Sequence, residues 1–377
     1  MGNTLTGLIQ YINDSADIVS RELVGMIPSV YLNPKAEMAA LNQDITYPVV
    51  PTMAAEDTTP GATPPALGDQ TVGAGTMRIT KSRTVRFYWS GEDETAMGAT
   101  MRTMIENNKF AQAFRTLTNE MESDLAGLYV SASRAYGTAG TTPFATAGDF
   151  SDAAEIVRIL KDNGAPTTDL QLVINTAAGA KIIGKQAQAQ ITGSDNIQRQ
   201  GILLDIAGCK IRESAAIKNT TKGTGASYVT NGSTAPGVAD IALITGSGTV
   251  VAGDIATFAA DAVNKYVVKT GVAAPGTISL GAPGARMTIP TGNALTIGNG
   301  YAANMAFDRS AIHLLARLPK LPSEGDIAAD EYIMIDPVSG LPFRIALYKG
   351  YQANQIAISI AWGVKAVKSE NIALLLG

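Results

Sequence analysis

Ile45-Thr46-Tyr47-Pro48-Val49-Val50 and Met77-Arg78-Ile79-Thr80-Lys81-Ser82-Arg83-Thr84-Val85-Arg86-Phe87-Tyr88-Trp89 are two β-prone runs. Between them lies a stretch rich in Pro, Gly and small polar side chains, including Glu56-Asp57-Thr58-Thr59-Pro60-Gly61 and Pro64-Pro65. Such a composition offers a compact core little to bury. Structureless loops longer than about 12–15 residues are uncommon inside compact domains and are usually functional or disordered. An isolated two-stranded hairpin is marginal in water. The sequence therefore predicts a protruding hairpin that finds its partner outside its own domain.

On the N-terminal side of the hairpin, Leu5, Leu8, Ile9 and Ile12, then Ile18, Val19, Leu23 and Met26, recur at helical spacing, with Ser15 as a cap and Pro28 as a stop. On the other side, Glu92-Asp93-Glu94 precedes a long periodic segment. Phe110, Phe114, Leu117, Met121, Leu125 and Leu128 form one stripe, which Met97, Met101 and Met104 continue upstream. Read from Thr95 to Ser131 at ~1.5 Å per residue, this is a spine helix roughly 55 Å long.

A helix opens at Ser151-Asp152 and stops at Asn163-Gly164 before Pro166, followed by a strand at Leu170–Ile174, a helix from Ala177 to Gln188 and a strand from Lys210 to Ile217. Residues 218–301 change texture to short β runs, such as Tyr266-Val267-Val268 and Thr277–Leu280, broken by glycines, and read as an inserted all-β module. The earlier pattern resumes from Met305 to Leu315, with Pro319 to Gly325 closing it. Strands at Tyr332–Ile335, Phe343–Tyr348 and Ile356–Trp362 end the chain, the first two joined by the turn Asp336-Pro337-Val338-Ser339-Gly340. The fold class is α+β.

The bulk numbers exclude several functions. A 377-residue chain has room for about two or three domains of ~150 residues. Its charged fraction of 16% is below the roughly 25% of ordinary soluble domains, which suits a surface that neighbours cover. The net charge of −4 lacks the basic footprint of a nucleic-acid binder. No apolar run reaches the ~18 residues of a membrane span, and no signal-peptide pattern stands at the start, so the expectation is a cytosolic chain. Cys209 is the only cysteine, so no intrachain disulfide forms.

Chemistry-bearing motifs are few. Gly179-Ala180-Lys181-Ile182-Ile183-Gly184-Lys185-Gln186 has the glycines and lysine of a phosphate loop, but Gln186 stands where the magnesium-binding hydroxyl belongs, and Ile182 and Ile183 suit a helix interior. His313 is the only histidine, so one chain holds no zinc site of the His/Cys type. Cys209 with His313 is the one His-activated nucleophile available, and both sit in apolar, strand-like settings that favour packing. Glu120, Glu122 and Asp124 on the spine helix lack the opposed environments that acid catalysis requires, and read as a solvated or intersubunit charged face. Only 6% of residues are aromatic, with Trp89 and Trp362 the two tryptophans, a poor start for a sugar platform. No cofactor, metal or catalytic residue is expected.

Lys81, Arg83 and Arg86 make the second hairpin run basic, with Lys81 and Arg83 on one face of the pleat and Arg86 on the other. Charged side chains on an edge strand discourage unwanted pairing. The functional alternative is contact with acids of an adjacent subunit, around Glu56-Asp57 or Glu92-Asp93-Glu94, at ~0–1 kcal/mol per exposed pair.

Taken in order, the helical arm, extended hairpin, spine helix, α/β lobe with a β insertion and closing strands resemble a tailed-phage major capsid protein of the Hong Kong 97-like, or Johnson, fold. Local wording is similar to the coat-protein family of short-tailed Salmonella phages: Ser20-Arg21-Glu22-Leu23-Val24-Gly25, Tyr129-Val130-Ser131-Ala132-Ser133-Arg134-Ala135-Tyr136-Gly137, Val173-Ile174-Asn175-Thr176-Ala177-Ala178-Gly179 and Ala361-Trp362-Gly363-Val364. The resemblance implies an N-terminal arm (1–45), an extended loop lying over a neighbour (46–91), and a peripheral domain with the spine helix (92–148 and 326–377). It further implies an axial domain (149–217 and 302–325) and an inserted β domain (218–301) that aids folding and contacts neighbours outside the shell. The implied function is a non-enzymatic shell subunit, forming hexamers and pentamers with a scaffolding protein, a portal protein at one vertex and packaged double-stranded DNA held without sequence recognition. The implied location is the virion, after assembly in the bacterial cytoplasm. Two other readings stay open: a surface-binding module using 218–301, and a Cys209-His313 hydrolase.

Overall fold

The computed structural model describes residues 25–34, 40–49, 60, 73–146, 149–188, 205–336 and 339–377, without the side chains of 94, 96–107 and 185–188. Apart from Met26 and the Pro28 stop, the two N-terminal helical patterns lie outside the described residues, as do Glu56, Asp57 and the side chains of Met97, Met101, Met104 and Glu94.

In chain order the elements begin with β1 (Tyr31–Leu32), β2 (Asp44–Val49), β3 (Gly73–Arg78), β4 (Lys81–Ser90), α1 (Gly91–Ala126) and β5 (Arg134–Gly137). Next come α2 (Ser151–Asp162), β6 (Leu170–Ile174), α3 (Thr176–Gln188) and β7 (Cys209–Glu213). The segment read as all-β holds β8 (Val229–Thr230), β9 (Asp240–Ile244), β10 (Ile255–Phe258), β11 (Asp261–Thr270), β12 (Thr277–Leu280) and β13 (Leu295–Ile297). The chain closes with β14 (Ala303–Asp308), β15 (Ile312–Arg317), β16 (Asp330–Ile335), β17 (Pro342–Gly350), β18 (Ala353–Ala366) and β19 (Ile372–Leu376).

The spine helix starts four residues earlier than its apolar stripe suggests. Ser90 and Asp93 form a reciprocal capping box, Asp93 Oδ2 accepting the Ser90 N–H at 2.9 Å and Ser90 Oγ accepting the Asp93 N–H at 3.2 Å. Such a cap is worth about 1 kcal/mol, and acids in a first helical turn are favoured by the macrodipole. Glu92-Asp93-Glu94 therefore belongs to the helix it was expected to precede. Gly127–Ser131 tightens into a 3₁₀ turn that ends it. Phe110, Phe114, Leu117, Met121 and Leu125 are essentially inaccessible, each contributing about 1.5–3 kcal/mol by burial.

That stripe packs on a six-stranded sheet of order β1-β15-β18-β17-β16, with β4 against the opposite edge of β18. Phe343, Ile345 and Leu347 of β17 and Ile356, Ile358, Ile360 and Trp362 of β18 face the helix in one core. A second sheet runs β7-β6-β14-β19-β5-β11-β12-β9-β8, with β10 joining β11 to β13. Strand β19 shows how the layers meet. Ile372, Leu374 and Leu376 point into the spine-helix core, while Ala373 and Leu375 point into a second core with α2 and α3.

The two sheets draw on segments far apart in the chain. Strands β5 and β19, from the segments 92–148 and 326–377, lie in the large sheet, and β15, from 302–325, lies in the six-stranded one. The all-β segment has its own core around Tyr228, Phe258 and Tyr266, yet β11 pairs with β5 through Tyr266 opposite Arg134 and extends the same sheet. Arg134 is buried there and donates to Asn264 Oδ1 at 2.8 Å and Asn163 Oδ1 at 3.2 Å, joining the segment to the end of α2.

Candidate assembly surface

The long second run of the predicted hairpin divides in two. Strand β3 pairs with β2 as a separate ribbon, Asp44 opposite Arg78 through Val49 opposite Gly73. Strand β4 instead pairs along its whole length with β18 of its own chain, Ser90 opposite Ala353 through Lys81 opposite Trp362. The base of the hairpin is thus part of the body. Even the ribbon is partly anchored, because Met77 and Ile79 are buried with Leu315 and Ala361. The sharpest contact is at Gly363, where a Cβ would lie 2.1 Å from the Arg78 carbonyl oxygen.

On the inner face of β4, Phe87 meets Phe110 edge-on with centroids 5.2 Å apart, and the Lys109 ammonium sits 5.7 Å from the Trp89 ring centroid. Lys81 Nζ donates to Asp124 Oδ1 at 2.8 Å and to Glu120 Oε1 at 3.0 Å. Arg83 Nε donates to Glu120 Oε1 at 3.2 Å, and the Trp362 indole N–H to Asp124 Oδ2 at 2.9 Å. Desolvation pulls the Lys81 ammonium down, but its hydrogen bonds to Asp124 and Glu120 outweigh that and raise it. Lys81 and Arg83 therefore have acidic partners within the chain, on the spine helix. Sequence reading placed Glu120 and Asp124 on a solvated or intersubunit face, because the strand register that brings Lys81 over the end of α1 is not a local property.

The outer face differs. Arg86 and Tyr88 border a cavity of about 530 Å³, shared with Asp326, Arg344, Tyr348 and Lys349. Arg344, buried at its base, donates to Glu331 Oε2 at 2.7 Å and to Asp326 Oδ2 at 3.1 Å. The Tyr348 hydroxyl, then the Ile327 N–H and Arg344, hold Asp326 below the usual carboxylate range against desolvation. Arg86 is the member of the basic trio that has no acidic partner among the described residues. Of the candidate acids, Asp93 is engaged in the cap of α1 and Glu92 is exposed.

Glu122, expected on the charged face, is buried at 2% exposure. Its carboxylate accepts the Ile27 N–H at 2.8 Å, the Met26 N–H at 3.0 Å and the Ser214 hydroxyl at 2.7 Å. Burial raises its carboxyl above the ordinary range, against these hydrogen bonds. The strap 25–33 is thereby held between α1, the end of β7 and β15, with Asn33 N–H donating to Leu314 O at 2.9 Å. A two-residue offset in a helix of 3.6 residues per turn rotates a side chain by about 200°, so Glu122 faces inward while Glu120 and Asp124 face β4.

No protein-family model matches the sequence, and no curated protein does either. Solved structures do. The chain is similar to the capsid structure of cyanophage P-SCSP1u at 11% identity and a TM-score of 0.52, over 92% of this chain and 86% of that one. It is similar to a chain of Mycobacterium phage Che8 at 11% identity and a TM-score of 0.50, over 92% and 89%. The chain has the Hong Kong 97-like fold.

Within the Hong Kong 97-like chain the enzymatic candidates do not assemble. Cys209 lies in β7 of the large sheet, in the core shared with α2 and α3, and burial pushes its thiol up to about 12. His313 lies in β15 of the six-stranded sheet beside Asn33 Nδ2, 3.2 Å from its Nδ1, and desolvation lowers it. A thiol so far from ionisation, in a different sheet from the only imidazole, is not an activated nucleophile. Residues 179–186 lie inside α3, so their backbone N–H groups are not free to wrap a phosphate. Among the described residues no group of His, Cys, Asp and Glu is placed to hold a metal, and no helix is long and apolar enough to cross a membrane.

Proposed function

We propose that this chain is a major capsid protein, a non-enzymatic subunit that assembles into an icosahedral procapsid and then an expanded head around phage double-stranded DNA. The observation that supports it most is the likeness to the cyanophage capsid across 92% of the chain. The ribbon β2–β3 adds to it, a separate two-stranded sheet that is marginal alone. Copies associate in hexamers and pentamers, with a scaffolding protein, a portal at one vertex and the virion as location. The quoted local wording favours the coat-protein family of short-tailed Salmonella phages. Arg86 is left to meet acids of a neighbouring copy. The net charge of −4 suits a wall that repels DNA enough to keep it mobile.

Electron microscopy of the overexpressed protein, alone and with phage scaffolding protein, tests the reading. Shells, tubes or polyheads are expected. A chain that stays monomeric at high concentration under both conditions overturns it. The surface-binding alternative is less favoured, because the β5–β11 pairing builds residues 218–301 into the body sheet instead of leaving them as an appended module.

A further inference from the structure

Three strands of the six-stranded sheet have a free edge among the described residues, and one of them, β1, is only two residues long and pairs with β15 alone. Of the other two, β4 pairs only with β18, and β16 pairs only with β17. A free edge presents unpaired N–H and C=O groups to any strand that reaches it. The β4 and β16 edges carry opposite charge. Residues 73–91 contain Arg78, Lys81, Arg83 and Arg86 and no acid, whereas residues 321–343 contain Glu324, Asp326, Asp330, Glu331 and Asp336 and no Lys or Arg. Internal partners offset part of each, Asp44 (for Arg78), Glu120 and Asp124 at the first and Arg344 at the second. Among the described residues Arg86 has no acidic partner at the first edge, and the single Arg344 answers both Asp326 and Glu331 at the second.

The exposed apolar side chains fall on matching faces. Phe87 and Trp89 of β4, with Tyr332 and Met334 of β16, turn toward the spine-helix core. Tyr88, Ile333 and Ile335 turn the other way and are 69%, 50% and 66% exposed. Strand direction matches too. Strand β18 runs antiparallel to β4 and β17, and β17 runs antiparallel to β16. Strand β16 therefore runs opposite to β4, and a second copy set beside the first in the same orientation offers β16 antiparallel to β4, with both outer faces on one side.

We propose that β4 of one copy pairs antiparallel with β16 of a second copy, head to tail, continuing the six-stranded sheet from subunit to subunit. Opposite charges and aromatic–β-branched neighbours favour this cross-strand pairing, and like charges oppose β4 on β4 or β16 on β16. A head-to-tail contact closes into a ring when its rotation allows. The inference rests on the shell-subunit reading for its second copy, and adds which edges meet.

Cysteine cross-linking tests it. Ile333→Cys protein is co-assembled with Ser82→Cys, Thr84→Cys, Arg86→Cys or Tyr88→Cys protein, four outward positions that cover the antiparallel registers, and then oxidised. Cys209 is buried and does not compete. At least one mixture is expected to give a reducible disulfide dimer that neither variant gives alone. Assemblies in all four mixtures without that dimer overturn the edge pairing and leave the shell reading standing. A dimer formed as readily by single variants indicates like-on-like contact and also overturns it. If the parent protein does not assemble at all, the shell reading falls and the pairing with it.

Discussion

Glu122, four residues before the end of the spine helix, accepts the backbone N–H of Ile27 from 95 residues earlier in the chain at 2.8 Å. The same carboxylate takes the Met26 N–H and the Ser214 hydroxyl, so one side chain fastens the strap to both the helix and the end of β7. Replacing it with Ala orphans buried donors at roughly 1–3 kcal/mol each. Glu122→Ala is expected to lose about 3 kcal/mol or more, read as a lower urea midpoint, and to expose the chain near residue 25 to limited proteolysis. An unchanged midpoint and cleavage pattern would show that the strap is held by other contacts.

The same group sets a pH dependence. Its folded value is raised above the ordinary 4.5 by burial, so the folded chain holds the proton more tightly than the unfolded one. Stability from this group is complete below the unfolded value and is lost as pH rises through the folded value. Relative to Glu122→Gln, the native chain is expected to lose stability as pH rises above the ordinary 4.5 and through the raised folded value, checked by urea titrations at several pH values. A gap that widens with pH in the native chain's favour contradicts this.

Asp124 joins three elements, accepting from Lys81 on β4 and from Trp362 on β18 while sitting on α1. The indole is fully buried. Asp124→Ala leaves that N–H without its acceptor and should cost about 1–3 kcal/mol. Lys81→Met, at a partly exposed ion pair, should cost about 0–1 kcal/mol. Thermal unfolding of the two variants checks the ranking, which reverses if the ion pair matters more than the indole bond.

At Gly363 any side chain meets the Arg78 backbone, not a movable side-chain end. Gly363→Ala is expected to cost about 1–3 kcal/mol as overpacking, and to raise hydrogen exchange at Thr80, whose N–H donates to Trp362 O at 3.1 Å. Native exchange at Thr80 in this variant would mean the sheet absorbs the methyl group elsewhere.

Cys209, with its thiol pushed up to about 12, should react with a thiol reagent at pH 8 only as fast as the chain unfolds. Rapid native-state labelling, or a hydrolase activity lost in Cys209→Ala, would reopen the nucleophile reading.

Local pattern settled much of this protein. The stripe from Phe110 to Leu125, the stop at Asn163-Gly164, the buried strand Leu170–Ile174 and the two faces of β4 follow from spacing, because a helix or strand exposes its period within a few residues. The absence of a basic footprint, a second cysteine or a second histidine likewise follows from composition alone. Pairing across the chain was not legible. The union of β4 with β18, the placing of β5 and β19 between the two cores, the inward turn of Glu122 and the internal partners of Lys81 and Arg83 each depend on residues tens to hundreds of positions apart. Charge type and strand propensity are local quantities, but the partner of a charge or of a strand edge is chosen by the packing of the whole chain.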